Sequence, residues 1–89
     1  MLILPTEITH SSARACAHML VQALQHGDST VVADATALER FDSSALAVLI
    51  ECRREAQVAG KTFSVRGLPD RLRALAGMYG VAELLPAAP

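Results

Sequence analysis

Aromatic side chains are scarce in this chain: 89 residues include one Tyr, two Phe and no Trp. The core must therefore be aliphatic and rich in alanine, and no platform exists on which unpaired bases could stack. A dominant charge is missing as well. Eight basic residues against nine acidic ones leave a formal net charge of −1, which gives no basic field for a polyanion and argues against nucleic acid as a partner. Only two cysteines occur, Cys16 and Cys52. They match no metal-ligand spacing and each falls on an apolar helical stripe, so they read as small buried hydrophobes, reduced as thiols are in the cytoplasm. Neither glycine-rich phosphate fingerprint is present. The longest unbroken apolar run, Ala45 to Ile50, is far below the ~20 residues that a spanning helix needs, and the start lacks the basic flank and cleavage site of a signal peptide. The expectation is one soluble, intracellular domain over residues 1–89, without direct membrane insertion.

What the chain does have is a hinge. Val31-Val32-Ala33-Asp34 reads as a buried strand, and after a short loop Phe41-Asp42-Ser43-Ser44-Ala45-Leu46 opens a long apolar helix. An aspartate directly before a helix-forming run accepts hydrogen bonds from first-turn amides, so Asp42 is the expected N-cap and Ser43 the expected first residue, with the helix running to about Ala59. Two hydroxyls then sit at a helix N-terminus, where partial positive charge and unpaired amides favour an anion. Plain first-turn serines without chemistry are the alternative. The first turns are apolar around the whole circumference, which means that they are enclosed or that they form a patch for a partner.

Around this unit the periodicity places further elements. Leu2-Ile3-Leu4 begins a strand that Pro5 shortens or bends, with Thr6 to Thr9 extending it and Ile8 inward. Ser11 or Ser12 caps a first helix to about Gln25, since Ala13, Cys16, Ala17, Leu20 and Leu24 recur at helical spacing. Thr30 to Asp34 is apolar on both faces, as a central strand is. Lys61 to Arg66 alternates and reads as a strand with one face in solvent, followed by a third helix with Pro69 at its first position and Leu72, Leu75, Ala76 and Tyr79 as its buried stripe. Val81 to Leu85 adds a turn, and Ala87-Ala88-Pro89 reads as loose. Val31, Val32, Ala33, Leu46, Leu49, Ile50, Phe63, Val65, Leu72 and Leu75 should share one core. The fold class is α/β, with a small, mostly parallel or mixed sheet of three to four strands and three to four helices. A weak first strand leaves a bare sheet edge, which invites pairing with a second copy.

Catalytic constellations do not assemble. His10, His18 and His26 have no ligands at metal spacing, and a nucleophilic Ser43 lacks an oriented base and the G-x-S-x-G elbow. No enzyme activity, metal or cofactor is expected. Asp34, at the end of a central strand, either serves the surface on the hinge side of the sheet or bonds to the backbone near Thr36. Arg40, beside the hinge, either binds a phosphate or stays a solvated loop charge.

The strand Val31 to Asp34, the hinge Phe41 to Leu46 and the long helix resemble the signature of STAS domains, the fold of anti-sigma factor antagonists, whose hinge reads Asp-Ser-Ser/Thr-Gly-Leu. Ala45 departs from that pattern, since it stands where the family has glycine. The usual N-terminal strand hairpin is also missing. Leu75 to Pro86 looks most like the small STAS subunits of bacterial Mla phospholipid transporters, which bind the cytoplasmic ATPase of an ABC complex that includes a membrane permease. The resemblance implies an accessory subunit, cytoplasmic and peripheral to the inner membrane through its partner, with Arg40, Asp42, Ser43, Ser44 and Ala45 at the binding surface. It also implies an alternative, an anti-sigma factor antagonist whose Ser43 is phosphorylated by a partner kinase. Ser43 carries the hydroxyl that matters in both.

Overall fold

The computed structural model covers residues 1–89. Its elements are β1 (Leu2–Ile3), β2 (Glu7–Ile8), α1 (Ala13–Leu24), β3 (Thr30–Asp34), β4 (Arg40–Phe41), α2 (Ser44–Val58), β5 (Thr62–Arg66) and α3 (Asp70–Met78), then a 3-10 turn at Ala82–Leu84. Alternation of strand and helix with short loops yields parallel pairing. The main sheet has the order β1-β3-β5, and every pairing in it is parallel. The α/β class and the small parallel sheet expected from the sequence are both observed.

The strand register explains which residues the sheet buries. Leu2 pairs with Ala33, and Ala33 with Val65, so these three side chains share one face, and all are buried. Val32, Asp34, Ser64 and Arg66 alternate to the other face and stay half-buried or exposed. Val32 is thus not a core residue, contrary to the reading of β3 as apolar and buried on both sides. The helices α1 and α2 pack against one another, α1 also meeting β1 and α2 meeting β5. Leu49, Cys52, Ala45, Ala56 and Leu72 have no exposed surface in the single hydrophobic core. Ile50, Phe63 and Leu75 pack against it half-buried.

Four local features depart from the sequence expectation. The stretch Thr6 to Thr9 does not extend β1. Pro5 breaks the strand, and Glu7–Ile8 instead pairs in parallel with Arg40–Phe41 as a separate two-stranded ladder. The tail is not loose either: the Val65 amide donates to the Pro86 carbonyl at 2.8 Å and the Ala88 amide to the Val65 carbonyl at 2.8 Å. A β-bridge of Ala87 to Val65 therefore covers part of the β5 edge, which leaves β1 as the open side of the sheet. Tyr79, expected as a core anchor, is 61% exposed: it is the C-cap of α3, one turn past Ala76, the last residue that the helix buries. Pro69 precedes α3 in an extended conformation (φ −57°, ψ 142°) rather than serving as its first helical residue.

Candidate functional site

In a parallel α/β sheet the C-terminal ends of strands and the N-terminal ends of helices face one edge. The hinge lies on that edge and is built by the short ladder. The Thr6 carbonyl accepts from the amides of Glu39 (2.8 Å) and Arg40 (3.0 Å), and the Ile8 carbonyl from the Asp42 amide (3.3 Å). Ile8 and Leu38, both buried, anchor the two sides. The N-terminal segment thereby positions a turn more than thirty residues further along the chain.

Asp42 acts on that turn with both carboxylate oxygens. Oδ1 accepts the Ser44 amide at 2.8 Å, and Oδ2 accepts the His10 amide at 3.0 Å. These two bonds, the one from Ser44 foremost, hold the Asp42 carboxyl below the usual carboxylate range. Ser43 already has helical backbone angles (φ −61°, ψ −17°) and its hydroxyl makes no capping bond. The regular helix is assigned from Ser44, but the capping geometry is that of Asp42, one residue before the first helical angles.

The exposed part of this edge is narrower than the sequence suggested. Asp42, Ser43 and Arg40 are exposed and Ser44 is half-buried. Ala45 is fully buried, so its methyl packs inside and offers a partner nothing, which corrects its inclusion among the surface residues. Arg40 reaches Glu7 at 3.5 Å, with its side chain still 80% exposed, an ion pair of little energetic weight. Asp34 turns inward on its own loop. Its Oδ1 accepts both the hydroxyl and the amide of Thr36, and the hydroxyl first, then the amide, lowers its pKa.

One neighbour gave no signal in the sequence. The Arg71 guanidinium, in the first turn of α3, lies 5.0 Å from the centroid of the Phe41 ring, within cation–π range. Phe41 directly precedes Asp42, so α3 borders the hinge. Only a contact between elements thirty residues apart reveals this.

Burial pushes the Cys52 thiol up to about 12, with small additions from Cys16 and Glu51, and burial also raises Cys16. Both cysteines are free and buried. No group of three or more His, Cys, Asp or Glu is arranged to hold a metal ion, and no helix is long and apolar enough to cross a membrane.

Comparison with known proteins agrees with this architecture. The family model described as "Mlab, STAS domain" matches residues 1–86. Among solved structures, the anti-sigma factor antagonist SpoIIAA in its unphosphorylated form superposes with a TM-score of 0.73 at 17% identity, over 98% of this chain and 76% of that one. At that identity the likeness establishes the shared fold. No curated protein matches the chain.

Proposed function

This chain belongs to the STAS domain family, and from that premise we propose that it is a non-enzymatic accessory subunit of an ABC-type phospholipid transporter. It binds the cytoplasmic ATPase through the N-terminal end of α2 together with α3 and is peripheral to the inner membrane by that contact. The observation that carries the reading is Ser43, an exposed residue whose hydroxyl is not used in capping, on a turn that Asp42 and the β2–β4 ladder hold in place. A hydroxyl free of folding duties at a fixed helix end is available to a partner. The description of the matching family model, Mlab, agrees with the resemblance of Leu75 to Pro86 to the small STAS subunits of Mla transporters.

The same hydroxyl favours one second reading, an anti-sigma factor antagonist switched by phosphorylation of Ser43. A phosphate would add about −1.5 to −2 charges beside Asp42 and repel an apolar or acidic partner. The experiment that separates the readings is affinity purification of the chain from its own cells. Wild type should bring down an ATPase together with a permease, Ser43→Ala should recover less of both, and Ser43→Glu should lose both, while all three melt alike. Recovery of a kinase, with phosphate on Ser43 by mass spectrometry, would replace the transporter by the phospho-switch. Equal recovery of the ATPase by Ser43→Glu would remove the hinge from the interface.

A further inference from the structure

No further inference is drawn: the strongest candidate, the face of the parallel sheet that carries Ile3, Val32, Ser64 and Arg66 and that the strand register leaves half-buried or exposed, is an unpartnered face, and nothing in the structure shows what covers it.

Discussion

Gly67 joins β5 to α3 at a place where two loops almost touch. Its φ is +67°, and a Cβ built there would fall on the Thr36 hydroxyl and 3.1 Å from the Thr36 Cα. Gly60, just past α2, has nearly the same backbone, φ +74°, with nothing within 4 Å of its would-be Cβ. The pair separates conformational strain from crowding. A left-handed non-glycine residue costs about 1–2 kcal/mol, and that is the whole expected loss for Gly60→Ala. Gly67→Ala adds overpacking against backbone that cannot rotate aside, about 1–3 kcal/mol more, and displaces the hydroxyl that Thr36 donates to Asp34. Its total is roughly 2–5 kcal/mol, against a stability of about 4–13 kcal/mol for a chain of this length. Urea unfolding followed by circular dichroism reads the difference directly. With a slope near 1 kcal/mol/M, the midpoint should fall by about 1–2 M for Gly60→Ala and by about 2–5 M for Gly67→Ala. Combining Gly67→Ala with Thr36→Ala should recover part of the loss, because the two are in contact. Equal losses at the two glycines, or no coupling to Thr36, would refute the close approach of the Asp34–Thr36 loop to the start of α3.

Two further predictions concern the core and the cap. Leu49 has no exposed surface, so Leu49→Ala should cost roughly 2–5 kcal/mol, and a loss under ~0.5 kcal/mol in the same urea assay would mean that α2 is rotated from its described register. The Asp42 carboxyl is held low by the Ser44 and His10 amides, which ties stability to pH in one direction. Its ionised form supports the fold above the unfolded-state value near pH ~4, and that support is lost as pH falls through the lower folded value. Asp42→Asn should therefore melt below the wild type at neutral pH and converge on it in acid, and parallel melting curves across the acid range would show that the cap carries no such linkage.

Much of this fold is written locally. The helical recurrence of Cys16, Leu20 and Leu24, the alternation from Lys61 to Arg66 and the apolar run after Asp42 each specify an element from its own residues, through side-chain period and capping. The observed elements follow those segments within a residue or two at their ends. The hinge aspartate was legible for the same reason, since a cap acts on amides two or three positions away, and Asp42 does bond to Ser44.

Tertiary structure decided what depends on distant partners. A two-residue strand has no period to detect, and β2 and β4 exist only because Glu7–Ile8 and Arg40–Phe41 meet each other. The tail is held by the outer edge of β5, which no local rule could assign to Ala87. Which side of an apolar segment is covered is equally non-local: Ala45 is buried because its helix meets the core there, while Tyr79 is exposed because it lies past the last residue of α3 that packs inside, Ala76. The placement of Arg71 on Phe41 beside Ser43 belongs to the same class. Sequence alone determined the elements and the capped hinge, because propensity, capping and side-chain period act over a few residues. Only the packed chain determined the surface around that hinge, because a surface is whatever the other elements leave uncovered.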